Sequence, residues 1–184
     1  MESLLQRLKN SRTVLEFLAI LNTYMELNGR GRIIITGGFA VELYTNRAYR
    51  TGVVDIIVEG DKTFVENILS MFGKRVSRVW ELELFSDKAI DIVSTMYLKP
   101  KAPIKLRVNE YWIYIEPVEE ILITCLAACK FWNSISDCEK AIMLIICQRD
   151  IIDWNYLRDR ASREQVLDKL EELLSRVREH VRFV

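Results

Sequence analysis

Apolar residues recur along this chain in two rhythms. Between residues 12 and 27, Val14, Phe17, Leu18, Leu21, Tyr24 and Met25 fall on one stripe at helical spacing, and Asn28-Gly29 stops the helix. Arg32 to Thr36 is a short apolar run that predicts a strand buried on both faces. Gly37-Gly38 makes a turn, and a short helix covers 39–44. Val53 to Val58 predicts a second strand. Gly60-Asp61 breaks that strand, with Asp61 placed to cap a helix over 62–72. Further strands are predicted near 76–85 and 89–97, and the alternation over 104–115 predicts another. Pro117 opens a helix over 118–131. Helices near 135–147, 153–160 and 163–180 complete the chain, with Asp153 and Ser162 capping the last two. No glycine follows Gly73, so strand punctuation ends there. The expected fold class is α/β (α+β). A small mixed sheet with flanking helices spans residues 1–116, and a helical region spans 117–184. The last helix carries Val166, Leu170, Leu173, Leu174 and Val177 as its stripe. It packs either on the body or against a second copy, as in a homodimer.

Composition narrows the classes. The chain has 184 residues, 50% of them hydrophobic and 28% charged, enough for a full core. Lys plus Arg total 26 and Asp plus Glu total 26, which argues against a dedicated nucleic-acid binder, though not against a local basic groove. No apolar run approaches the ~20 residues of a membrane span. The amphipathic, partly acidic start does not read as a secretory signal. Cys125, Cys129, Cys138 and Cys147 form no CxxC pair, and His180 is the single histidine. That is a poor zinc set. The cysteines read as small buried hydrophobes in a reducing, cytoplasmic setting. Trp80, Trp112, Trp132 and Trp154 read as core or interface residues, and His180 as a group interacting with a helix dipole.

The chemistry concentrates around the diglycine. A strand ending in Gly37-Gly38 and leading into a helix presents bare N–H groups at a helix N-terminus, a geometry that favours a phosphate. On the following strand, Asp55 shares a face with Val53, Ile57 and Glu59, while Val54, Ile56 and Val58 face the core. Asp91 sits the same way in AIDIVS. An aspartate inside a Val/Ile strand needs a reason, because an unpartnered buried charge is costly. Two strand-borne aspartates can hold Mg²⁺ and its phosphates. Equally, each can cap a strand end or pair with an arginine. Arg47 and Arg50 can grip phosphates bidentately, and equally can be ordinary surface residues.

The segment IIITGGFAVELYTNRAYRTGVVDIIVEG resembles the core motif of the minimal nucleotidyltransferases of the polymerase-beta-type superfamily, the group found in nucleotidyltransferase toxin–antitoxin modules. Their pattern is a strand, Gly-Gly or Gly-Ser, a helix A-x-x-L-Y, then R-x-T-x-D-h-D on the next strand. A third acid lies on a later strand. Gly37-Gly38, Ala40, Leu43-Tyr44 and Arg50-Thr51 follow this order, Asp55 matches the second acid and Asp91 the third. EPVEEILITCLAACKFW and IIDWNYLRDRA extend the likeness to about residue 161. The resemblance implies a nucleotidyltransferase-like fold and a nucleoside triphosphate held with Mg²⁺. Asp55 and Asp91 would be the catalytic and metal residues, and Gly37, Gly38, Arg47, Arg50 and Thr51 would contact the nucleotide. An RNA or protein would be the acceptor, and Asp91 or a substitute the general base.

Three departures bear on that expectation. The first acidic position is Val53, the lysine expected before L-A-A is Cys125, and the second acid of a later D-x-x-D helix is Lys140. Glu59 is a poor replacement, lying roughly 13 Å along the strand from Asp55. Glu42 and Asp87 are the other candidates. Without the first acid, a second activating ion has few ligands. The alternative is a catalytically inactive module of the same fold that binds a nucleotide or a protein partner.

Overall fold

The computed structural model describes residues 2–181, and the chain divides into two compact units. Unit 1 takes residues up to Ala40 and Thr51–Glu116; unit 2 takes Val41–Arg50 and Pro117 onward. The side chain of His180, and with it the expected dipole interaction, lies outside the described residues.

Unit 1 opens with α1 (Glu2–Lys9) and α2 (Val14–Leu27). Thr13 caps α2 by accepting the Glu16 N–H at 3.1 Å. After β1 (Gly31–Ile35) comes α3 (Gly37–Tyr44), whose residues up to Ala40 belong to this unit and which begins at the first glycine, two residues before the expected helix. Next are β2 (Val53–Gly60) and α4 (Lys62–Phe72), whose cap is Asp61 as expected. β3 (Gly73–Val76) and β4 (Val79–Leu82) form a hairpin, followed by β5 (Ala89–Ser94). A second hairpin, β6 (Ile104–Val108) and β7 (Tyr111–Ile115), closes the unit.

These strands form one seven-stranded mixed sheet in the order β3-β4-β5-β2-β1-β7-β6. β1 runs antiparallel to β2 and parallel to β7, and β2 runs parallel to β5. Where single strands were expected over 76–85 and 104–115, the chain folds into hairpins. Their two-residue turns, Ser77-Arg78 and Asn109-Glu110, contain no glycine, and Ser77 and Asn109 adopt φ of 57° and 56°. Val54, Ile56 and Val58 are fully buried, as the alternation requires. Phe17 of α2 meets Phe72 and Phe85 edge-on at 5.3 and 5.9 Å. Buried Asn22 ties α2 to two strands, donating to Trp112 O (2.8 Å) and accepting from Ile33 N (2.6 Å).

Unit 2 contains α5 (Val118–Phe131), α6 (Ile135–Gln148), α7 (Trp154–Arg163) and α8 (Leu167–Val181). Asp153 caps α7 as expected. Ser162 does not cap the last helix, because α7 runs through it to Arg163 and the chain turns at Gln165 (φ 58°) before α8. The α8 stripe is buried at Val166, Leu170, Leu173 and Leu174, and α8 packs on α5, α6 and α7. The cysteines depart from expectation. Cys129 and Cys138 form a disulfide across the α5–α6 turn, with Cα atoms 4.9 Å apart, while Cys125 and Cys147 are not disulfide-bonded. The helical hairpin brings the two close, and the bridge removes the cysteine argument for a reducing compartment. Trp132, expected in a core or interface, is 76% exposed at the end of α5. No described helix is long and apolar enough to cross a membrane.

Candidate functional site

The site is built at the end of β1. Thr36 N–H donates to Asp55 O at 3.0 Å, which continues the β1–β2 ladder past Ile35. The chain then turns through Gly37 at φ +58°, the left-handed region that favours glycine. A Cβ on Gly37 would collide with the Asp55 carboxylate. Gly38 N–H points at Asp55 Oδ2, a long contact of 3.4 Å, and a Cβ on Gly38 would lie 3.4 Å from the Thr51 side chain. The diglycine therefore lets the N-terminus of α3 close onto a carboxylate and a threonine.

Asp55 and Asp91 are Cα partners on the parallel strands β2 and β5, so their side chains leave the sheet on one face. Asp91 is only 4% exposed, between fully buried Ile90 and half-buried Ile92. Its carboxylate has a cationic partner: Arg78 Nε lies 3.0 Å from Oδ2, reaching in from the β3–β4 turn. Val53, at the first acidic position, pairs with Ala89 on the same face as Asp55 and brings no oxygen. Thr51 braces the start of β2, its Oγ1 accepting from Val53 N–H at 3.2 Å and donating to Val53 O at 3.3 Å. Lys88 donates to Thr51 O, and its ammonium lies 5.5 Å from the centre of the Phe39 ring. Close by, a cavity of about 650 Å³ is lined by Gly52, Asp87, Lys88, Lys74, Glu81 and Glu83.

Gly37, Gly38, Thr51, Asp55 and Asp91 thus come together in unit 1. Arg47 and Arg50 belong to unit 2. There Arg47 Nε lies 3.5 Å from buried Glu42 and Arg50 is exposed. Glu59 is held elsewhere, ion-paired to Arg32 at 2.7 Å and accepting from Tyr97 N–H at 3.0 Å. The sequence reading missed Arg78 and Lys88. Lys88 stands three residues before Asp91 on the approach to the same strand, a legible signal. Arg78 had none, because its turn lacks glycine.

Among the described residues, no group of three or more His, Cys, Asp or Glu side chains is arranged to hold a metal ion. The Asp55–Asp91 pair has the oxygen chemistry for one Mg²⁺ shared with phosphates, and does not fit two. In unit 2, Lys140 at the altered acidic position is salt-bridged to Asp137 at 2.9 Å. Burial lowers the lysine pKa, but the hydrogen bond and charge of Asp137 outweigh it and hold Lys140 above its ordinary value.

No family model matches the chain. No curated protein sequence matches it either. Among solved structures, the solution structure of the antibiotic-resistance factor ANT(2'')-Ia is similar over 99% of this chain and 97% of that one, at 13% identity and a TM-score of 0.45.

Proposed function

We propose that this chain is a nucleotidyltransferase-like protein that binds a nucleoside triphosphate with Mg²⁺ and moves a nucleotidyl group to an RNA or protein acceptor. One observation supports this most: two aspartates stand as direct partners on neighbouring parallel strands, and the first faces the amide that opens α3. In this reading the Gly37-Gly38 backbone lies against the phosphates, with Thr51 beside it. Asp55 and Asp91 hold one Mg²⁺, which neutralises phosphate charge when bound. An acceptor hydroxyl forms a bond to the α-phosphorus, the bond to the β-phosphate oxygen breaks, and pyrophosphate leaves. The hydroxyl proton passes to a carboxylate, for which Asp91 is the candidate. Arg47 and Arg50 are further candidates for phosphate contacts.

A second reading is favoured by Val53 and by the arginine on Asp91. It is a catalytically inactive module of the same fold that binds nucleotide or a protein partner. Incubation with labelled nucleoside triphosphates, Mg²⁺ or Mn²⁺ and candidate acceptors separates the two. Label transfer that disappears in Asp55→Ala and Asp91→Ala is expected for the enzyme. Nucleotide binding by calorimetry without transfer supports the silent module, and absence of both removes the nucleotide from either account.

A further inference from the structure

Two carboxylates at partner positions on adjacent strands stand only about 5 Å apart at the backbone. Like charges that close disfavour joint ionisation unless a cation lies between or beside them. Unit 1 places one there. Arg78 Nε is 3.0 Å from Asp91 Oδ2. The position is dictated by the ladder: Val79 is the Cα partner of Asp91, and Arg78 is the turn residue immediately before it. The exposures of the two partners differ sharply, 80% for the arginine side chain and 5% for the aspartate. A nearly buried acid is thus capped by a guanidinium that faces solvent. Such a pair contributes little to stability, since the arginine is hydrated in either state. It is, however, a cation presented to whatever approaches Asp91. A guanidinium has five N–H donors, so its contact with Asp91 leaves donors able to fork onto a phosphate.

Charge balance points the same way. The guanidinium offsets one of the two carboxylate charges, so it lessens their repulsion of a triphosphate when no metal is present. We propose that Arg78 is a phosphate-binding residue of the candidate nucleotide site. It stands where a second cation would otherwise be needed at Asp91, so the triphosphate is held with no more than one divalent ion and retains affinity without any. This inference rests on the nucleotide reading above and adds to it a residue and an ion count.

The test uses the full chain and the fluorescent nucleotide mant-ATP, titrated in EDTA and in saturating Mg²⁺. Wild type is expected to bind in both. Arg78→Ala should weaken binding in EDTA by about tenfold, the size of one charge-assisted hydrogen bond, and less in Mg²⁺, where the released Asp91 gains a metal. Arg78→Lys keeps the charge and loses the fork, so it should fall between them. Electron paramagnetic resonance should count one bound Mn²⁺ per wild-type nucleotide complex. Wild type that binds mant-ATP while Arg78→Ala binds equally well in EDTA overturns the role of Arg78, as does a count of two Mn²⁺ ions. If mant-ATP binds in neither condition, the nucleotide reading itself fails and this inference goes with it. Unchanged thermal unfolding of Arg78→Ala excludes misfolding as the cause of lost affinity.

Discussion

Both units bury carboxylates, and they treat them differently. In unit 2, Glu120 is fully buried and receives the Tyr156 hydroxyl on one oxygen and Arg160 Nη2, at 3.4 Å, on the other. Glu119 beside it accepts Asp153 N–H at 2.9 Å at the start of α7. Each acid there has partners from the neighbouring helix, and the result is a staple between α5 and α7. In unit 1, Asp55 and Asp91 face one another across a ladder, with a backbone amide near one and a solvent-facing arginine on the other. Burial alone therefore does not separate the acids of the proposed site from the structural ones. Partners that are themselves exposed, and thus replaceable by a ligand, are the better sign.

The largest test of this contrast is Arg160→Ala. Removing the guanidinium leaves Glu120 charged and buried with one partner, and should cost about 3–5 kcal/mol of unfolding free energy in denaturant melts. Nucleotide affinity of the protein that remains folded should not change. Gly37→Ala comes next. Left-handed backbone alone costs about 1–2 kcal/mol for an L-residue, and the new methyl also pushes on the Asp55 carboxylate. Gly29→Ala is its control, because Gly29 has a similar φ of +65° and open space around it. If both variants lose equal stability and Gly37→Ala still binds nucleotide, the close approach of α3 to Asp55 has no functional weight. Asp91→Asn should change stability by no more than about 1 kcal/mol, as expected for a pair with an exposed partner, while abolishing the nucleotide transfer proposed above. A large loss of stability would place Asp91 with the structural acids instead. The smallest effect is on pH. Burial, then the hydrogen bond and charge of Glu120, push the Tyr156 hydroxyl up to about 12. Because the folded state holds this proton more tightly than the unfolded chain does, the contribution is complete below about pH 10 and is lost between about pH 10 and 12. Tyr156→Phe should flatten that limb of the melting-temperature profile.

Much of this was readable where the signal is local. The β1–diglycine–β2 passage, the facing of Asp55 and the caps Asp61 and Asp153 each follow from a few adjacent residues. Neighbouring strands for Asp55 and Asp91 were expected from their similar contexts, and the register that makes them direct partners was not. What stayed hidden depends on contacts distant in sequence or on turns without glycine. Ser77-Arg78 and Asn109-Glu110 reverse the chain with non-glycine residues at positive φ, so two hairpins looked like single strands. Arg78 reaches Asp91 only because β4 pairs with β5, a register that no local pattern announces. Glu119 and Glu120 stand in the first turn of α5, and nothing nearby in sequence reveals Tyr156 and Arg160 as partners of Glu120 or the Asp153 N–H as a partner of Glu119.

The covalent link between Cys129 and Cys138 spans nine positions, so a small ring survives even when every helix has melted. By chain-entropy reasoning such a loop limits the denatured chain by somewhat less than the ~3 kcal/mol of a 15-residue loop. Lys130 lies inside the ring. A protease that nicks the backbone after it yields two fragments that travel as one species on a gel until a thiol is added, and only then part.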